Sequence, residues 1–361
     1  MTKAFSSASA LVLGGGVIGL FTALALHRAG FQVRLLERGL IGRQASWAGG
    51  GILSPLYPWR APAAVWELAA DSQRIYPEIC AELAQRTGID PEWTPCGMAV
   101  LDHGQRAEAL RWSARVGVEV ADGQFSSGPA APLPALWLPW VAQVRNPRLC
   151  RALRVLIEQA GVRCEDQQGE LRLCGEGGQA TVVDPQGHQY SADVVVVTAG
   201  AWSGSLLRAV DWELSIQPVM GQMILLRGAP GLLPHIVLRE GRYLIPRRDG
   251  RILVGSTVEP DAGFNARTSE TAAVELRDFA RALLPPGAPV EVEQHWAGIR
   301  PGTVDECPII AQHPRLQNLY VNAGHYRNGL TLAPASAERL LSLVLAAQRQ
   351  PLTAGGVGQV G

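Results

Sequence analysis

Two rhythms of hydrophobic and polar positions run along this chain. In the first, a short apolar run precedes helical spacing. Leu11, Val12 and Leu13 form such a run; a helix carrying Ala23 and Leu26 follows and closes at Gly30; a second apolar strand spans Val33 to Leu36. Short continuous apolar runs between helices mark buried parallel strands. The same rhythm returns at DVVVVTAGAWS from Asp193 and at Leu319 to Val321. Helical spacing is also predicted for Asp71 to Arg86, and for Asn146 to Ala160 with Asn146 as N-cap, Pro147 at the first position and Gly161 as the stop. A last helix is predicted from Leu330 to Ala347, with Pro334 in its first turn. In the second rhythm, Gln217 to Arg227 and His235 to Val258 alternate as an antiparallel meander, with a hairpin at Asp249-Gly250. Glu92 to Asp102 reads as strand material, and Gly123 to Leu138, rich in Pro, Gly and Ala, as a loop or lid. The pattern predicts an α/β chain in which an antiparallel sheet is inserted into a parallel nucleotide-type fold. There are no internal repeats and no long linker.

Composition narrows the function classes. The chain has 361 residues, 47% hydrophobic and 18% charged, with zero formal net charge. That is an ordinary globular balance with no basic block, so nucleic acid is not an expected partner. No apolar run reaches membrane-spanning length on this reading. The first ten residues are small and polar, and three glycines break the apolar stretch behind them. A signal peptide is therefore not expected, and a cytoplasmic location is. Cys80, Cys96, Cys150, Cys164, Cys174 and Cys307 form no C-x-x-C pair, so no metal site is expected and the thiols are read as reduced and mostly buried. Lys3 is the only lysine, in a leader read as disordered. A lysine Schiff base and a P-loop lysine are thereby excluded. The Gly-rich last eight residues are also read as disordered.

The chemistry-bearing residues come in clusters. Gly14, Gly16 and Gly19 fall in G-x-G-x-x-G directly after a strand, and Glu37 follows at the end of the next strand. This spacing fits a dinucleotide: a tight turn, backbone close to a pyrophosphate, and an acidic acceptor for ribose hydroxyls. An acidic strand end disfavours a 2′-phosphate. Small residues from Ala45 to Gly51 allow something flat to approach, although composition alone equally suits a flexible loop. Arg300, in a turn-like HWAGIRP, and Arg327, in the turn-rich AGHYRNG, could clamp a carboxylate. On spacing alone, two surface arginines in solvated ion pairs are the plainer reading.

Five segments together resemble the D-amino-acid oxidase superfamily of FAD enzymes: the glycine fingerprint ending at Glu37, Ser46 to Leu53, VVTAGAWS, WAGIRPGT and AGHYRNGLTLAPA. The likeness spans nearly the whole chain. Within the superfamily it is similar to members that oxidise glycine for thiamine synthesis. The resemblance implies a Rossmann-like FAD-binding domain from residues 1–80, 141–214 and 296–361. It implies an interleaved, mixed-sheet substrate domain from residues 81–140 and 215–295. It assigns Gly14, Gly16, Val17, Ile18, Gly19, Glu37 and Arg38 to the ADP half of FAD. Ala45, Ser46, Gly50, Gly51 and Ile52 would lie against the isoalloxazine ring, and the Glu170 main chain against adenine. Ala199, Gly200 and Trp202 complete the cofactor site. His325, Tyr326, Arg327, Asn328, Gly329, Leu330 and Thr331 would approach the flavin's pyrimidine side.

The same resemblance assigns Arg300, Arg327 and Tyr243 to the substrate carboxylate, with no side chain acting as acid or base; His295 and His325 are read as structural. Sarcosine oxidases of the superfamily attach FAD through a cysteine. The matching position here is near Gly298, and Cys307 lies too far downstream, so FAD is expected without a covalent link. The lysine those oxidases use near the flavin has no counterpart. The implied reaction converts a small amino acid and O2 to an oxo acid, ammonia and hydrogen peroxide. A dehydrogenase passing electrons to a quinone, and a non-oxidase FAD module, stay as alternatives. A homotetramer is implied.

Overall fold

The computed structural model describes residues 8–126, 132–288 and 291–349. Lys3 and its leader, the last eight residues, and part of the stretch expected as a lid lie outside the described residues.

Val194–Val197 is buried at every position, and Ser9–Leu13 at all but its first. They can be apolar on both sides because they lie adjacent and parallel in the middle of a six-stranded sheet. Across it the order is Ile309–Gln312, Leu319–Ala323, Val194–Val197, Ser9–Leu13, Gln32–Leu36 and Arg163–Glu165. All neighbours pair parallel except the first two. Ala10, Val12, Val33, Leu35 and Val196 pack under the helices Val17–Arg28, Ala63–Thr87, Asn146–Gln159 and Gly329–Arg349. Leu11, Leu13, Val195, Val197 and Val321 face the other way, onto a three-stranded sheet formed by Arg172–Glu176, Gln179–Val183 and Gln189–Tyr190. One sheet is thus covered on both faces.

The second rhythm becomes an eight-stranded sheet. Its order is Glu291–Gly302, Gln217–Arg227, Ile252–Gly255, Arg242–Pro246, Ile236–Arg239, Met98–Val100, Leu133–Leu138 and Ala121–Phe125. Only Ile236–Arg239 with Met98–Val100 is parallel. The helix Glu270–Leu283 covers one face, and the Ser269 hydroxyl caps it by accepting from the Ala272 N–H. The long pair Gln217–Arg227 and Glu291–Gly302 carries this sheet to the first one: the Trp296 indole donates to the Ala48 carbonyl at 3.0 Å.

Several expectations change. In the stretch from Gly123 to Leu138, the described residues 123–125 and 133–138 are strand, not loop, Leu133–Leu138 pairing with Met98–Val100 because buried Ala135, Leu136 and Leu138 need that partner. Glu92 to Asp102 is two strands, broken where Gly97 turns at φ +68°. The helix expected from Asp71 starts at Ala63, and Pro77 lies inside it. Asn146 is not a cap; its side-chain amide donates to the Ser46 carbonyl at 3.0 Å. Pro334 lies beyond the first turn of the last helix. Of the thiols, only Cys80 and Cys150 are fully buried, and Cys174 is exposed. One helix, Tyr326–Arg349, is long and apolar enough to cross a membrane by length and composition. It packs on Val17–Arg28 and Ala63–Thr87 and buries Leu332, Leu340 and Val344.

Arg247 joins the hairpin of the second sheet to two crossing segments. Its guanidinium, 8% exposed, donates to the Gly50 carbonyl at 2.7 Å, the Gln143 side-chain oxygen at 2.7 Å and the Val144 carbonyl at 3.0 Å. Burial, then Arg145, pushes its pKa down to about 10, so it remains a cation at neutral pH. Arg247→Met leaves those buried acceptors without donors. It should lower unfolding stability by about 2–4 kcal/mol, at about 1–3 kcal/mol per unsatisfied group less the relief of burying a charge. Denaturant unfolding with an unchanged m-value checks this.

Candidate active site

A cavity of about 460 Å³ opens at the carboxyl ends of the central parallel strands, where the first βα turn, Thr198 to Trp202 and Asn322 to Arg327 meet. Such a switch point is where open α/β sheets bind ligands. Close approach makes the turn. Gly14 has φ +112°, and a Cβ there would sit 2.6 Å from the Thr198 carbonyl. A Cβ on Gly19 would sit 1.8 Å from the Gly14 carbonyl. Both glycines are therefore required by chain packing, whereas Gly16 opens onto the cavity. Gly16 caps the helix with no side-chain hydrogen bond. First-turn N–H groups and the positive dipole end are left for an anion. The Val17 N–H donates to the Ser46 hydroxyl at 2.8 Å.

Glu37 is buried on the cavity wall. Its two carboxylate oxygens accept from the Gly15 N–H at 2.7 Å and the Gly39 N–H at 2.9 Å. Each oxygen keeps acceptor capacity, so the group is held in place and still free to take two hydroxyls. Arg38 lies 4.3 Å over the Trp202 ring, and Phe264 stacks on that ring at 5.1 Å. Arg38, Trp202, Glu170, Ala199 and Gly200 all lie on the wall. Six buried side-chain polar atoms among the described residues have no partner; three belong to wall residues, Asn146 Oδ1, Asn322 Oδ1 and His325 Nε2. Buried polar atoms without partners are rare in proteins, and these three suit a polar ligand at the wall.

The substrate-side residues gather at the same cavity. Arg300 does not sit in a turn. It lies inside the strand Glu291–Gly302, opposite Val219. Its Gly and Pro neighbours resemble turn residues, but a long partner strand fixes them. The guanidinium donates to the Ser256 hydroxyl at 2.9 Å, the Met220 carbonyl at 3.3 Å and the Thr257 carbonyl at 3.4 Å. All are neutral acceptors, and burial, aided by nearby Arg327, pulls its pKa down. Arg327 lies in the short turn Tyr326–Asn328, 5.2 Å from the Tyr326 ring, and Tyr326 is held at φ +47°. Arg300 and Arg327 both reach the wall. Neither has a carboxylate within ion-pair distance among the described residues.

Tyr243 is buried behind the wall. Its hydroxyl lies 3.9 Å from Met223 Sδ, and a Cβ on Gly50 would come within 3.3 Å of it. Gly50, Gly51 and Ile52 likewise lie behind the wall, as do Asn328 and Thr331; the Thr331 hydroxyl donates to the Ile52 carbonyl at 3.0 Å. Ala45, Ser46, Val17, Ile18, Gly329 and Leu330 are on it. The sequence reading missed Gln44, Asn146 and Asn322 as wall residues. Asn322 carried a signal: an asparagine inside the apolar strand Leu319–Ala323, where it is fully buried.

A family model described as FAD dependent oxidoreductase matches residues 9–343. This chain belongs to that family. The cavity fits FAD: glycine turn, anchored acid, uncapped helix N-terminus and unpartnered polar atoms all lie on one wall. Among the relatives, glycine oxidase of Pseudomonas aeruginosa is 44% identical, covering 95% of each chain. A Synechocystis protein named bifunctional protein ThiO/ThiG is 31% identical over 96% of this chain and 53% of its own. The crystal structure of glycine oxidase from Geobacillus kaustophilus superposes with TM-score 0.85 at 28% identity, covering 96% of each chain.

In this FAD enzyme burial shifts His235, His295 and His325 towards the neutral form. His325 is 1% exposed, and burial pushes its pKa down to about 3. His295 is lowered first by burial, and its ring nitrogen lies 3.0 Å from the Gln222 side-chain oxygen. For His325 the folded pKa lies below the unfolded value, so between about pH 6.5 and about 3 the unfolded chain binds the extra proton. Stability is then fully present above pH 6.5 and falls as pH drops, by about 1.4 kcal/mol per unit from this group. His325→Gln should flatten the acid limb of holoenzyme stability by that slope. His235 and His295, also lowered, should leave the remainder. Urea unfolding at a series of pH values from neutral to acid checks this.

Proposed function

We propose that the chain oxidises glycine and related small amines, sarcosine and small D-amino acids, to the oxo acid, ammonia and hydrogen peroxide. The supporting observation is the pair Arg300 and Arg327: two cations without carboxylate partners on the wall of an FAD cavity. A substrate carboxylate supplies the missing anion. The name of the Pseudomonas aeruginosa relative agrees. The Synechocystis relative's ThiO/ThiG name fits delivery of the glycine imine to thiamine thiazole synthesis.

In this reading Val17 and Ile18, at the helix N-terminus, meet the pyrophosphate. Glu37 and Arg38 meet the ribose and adenine beside Glu170, and Ala45 and Ser46 lead to the flavin ring. Thr198 to Trp202 and His325 to Leu330 close the other side. FAD is held without a covalent link, in a cytoplasmic homotetramer by the same resemblance. FAD held there would supply the two-electron oxidant for the substrate's Cα hydride, with O2 as the final acceptor, reduced to hydrogen peroxide.

The protein contributes orientation. Arg300 on the wall would hold the carboxylate, with the Tyr243 hydroxyl, packed beside Gly50, as its second contact, which orients the Cα–H. Arg327 adds positive charge beside it. The last helix, starting at Gly329, directs its N-terminal dipole at the same cavity. Neither His295 nor His325 is basic enough to take the ammonium proton. The amine therefore enters as the free base, its lone pair forms the C=N bond, and water hydrolyses the imine.

Two measurements test this reading. Holoenzyme mixed with glycine under air should release hydrogen peroxide. Its kcat/KM should rise with pH to a plateau whose inflection follows the amine pKa when the substrate is changed. An inflection that stays fixed across substrates, or vanishes in His325→Gln, would show a protein base at work. Separately, Arg300→Ala should cost about 2–5 kcal/mol of transition-state binding while retaining FAD, by analogy with uncompensated buried charges. An unchanged kcat/KM for glycine would remove Arg300 from the site.

A further inference from the structure

Two glycines face each other in the interior of the two longest strands. Gly221 in Gln217–Arg227 pairs directly with Gly298 in Glu291–Gly302. Interior strand glycines weaken a sheet and often mark a place where something must come close. Neither has a positive φ. Backbone conformation therefore does not demand them; space does. A Cβ on Gly298 would lie 2.5 Å from Ala48 Cβ. A Cβ on Gly221 would lie 2.2 Å from both terminal nitrogens of Arg300 and 2.5 Å from its Cζ.

The register explains this. Arg300 pairs with Val219, so Gly221 is its diagonal neighbour, two residues along the same face. The absent Cβ would lie 2.2 Å from each terminal nitrogen and 2.5 Å from the guanidinium carbon, so the group meets the bare backbone with its outer edge, between those two nitrogens. Its edges are held by the Met220 and Thr257 carbonyls and the Ser256 hydroxyl. Those contacts set its rotation; Gly221 sets its depth.

We propose that Gly221 is a positioning residue for Arg300: its bare Cα is the floor that sets where the carboxylate-binding guanidinium sits. The inference rests on the reading of Arg300 as the carboxylate ligand. Any side chain at this position lifts the guanidinium from its acceptors. Because Gly221 lies in an ordinary strand conformation, alanine does not strain the chain there.

The test is a double-mutant cycle on holoenzyme with Gly221→Ala, Arg300→Ala and both. Gly221→Ala should keep its FAD and unfold no earlier than the parent. It should lose on the order of 30-fold or more in kcat/KM for glycine. The Kd for acetate, the carboxylate without the amine, should rise in parallel when read from the flavin absorbance change. In the Arg300→Ala background the same substitution should cost less than about twofold, because no guanidinium remains to displace. Two results overturn the inference: Gly221→Ala within about twofold of the parent while Arg300→Ala is impaired, or an equal loss in both backgrounds. Loss of FAD or of folded protein in Gly221→Ala would also overturn it, since the glycine would then serve the scaffold. If Arg300→Ala itself binds acetate and glycine normally, the carboxylate reading fails first, and is seen to fail separately.

Discussion

Buried positive charge without a carboxylate partner is the constraint around which this structure is organised. Arg247 is almost fully buried and donates only to two carbonyls and one amide oxygen. Arg300 donates only to carbonyls and a hydroxyl. Helix N-termini at Val17 and Gly329 add partial charge of the same sign. Arg247 lies off the cavity wall and is compensated by its three acceptors, whereas Arg300 lies on the wall, where a ligand anion can join it. FAD brings a pyrophosphate, and the proposed substrate brings a carboxylate. The fold therefore keeps its electrostatic complement for its ligands instead of satisfying it internally. Elsewhere arginines are paired: Arg251 with Glu293 at 2.7 Å, and Arg34 with Glu165.

The nucleotide half was legible because local spacing and global packing agree there. Gly14, Gly19 and Glu37 fall at the fixed spacings of one strand–helix–strand unit, so their positions can be read locally even though Gly14 also packs on Thr198. The parallel strands read as apolar runs because both faces are covered. The substrate half was harder to read, since its meaning lies in pairings between distant segments. Arg300 looked like a turn residue because Gly298, Pro301 and Gly302 surround it, yet Pro301 lies opposite Pro218 in a continuous strand pair. The stretch near Leu133 looked like loop because Pro and Gly outweigh its alternation; its strand appears only when Met98–Val100 is beside it. Gly221 gave no local signal, as the side chain that requires it is on another strand. The family's five segments reached Arg300 and Arg327 where spacing alone would have left them on the surface.

Proton handling follows from the same burial. His325 is 1% exposed, and that burial pushes its pKa down to about 3. A neutral imidazole there can accept or donate a hydrogen bond without changing charge as pH varies, and so can orient a polar ring edge across the working range. A charged histidine would add to positive charge already unbalanced at Arg300 and Arg327. Keeping the imidazole neutral leaves Arg300 and Arg327 as the charged groups of that part of the cavity wall.

Glycine's cost in the sheet can be weighed against this. Gly221 and Gly298 forfeit on the order of 0.5–1 kcal/mol each relative to alanine. That loss is small beside the misplacement of a charged ligand-binding group, where an ångström can change a rate a hundredfold. The same two strands carry Trp296, whose indole ties the Ala48 carbonyl, and Arg300, whose guanidinium rests on Gly221. One glycine pair thus lets the Ala48 run and the Arg300 guanidinium come close to one sheet. Both are placed against paired strands, and groups held on rigid elements keep tighter geometry than groups on loops.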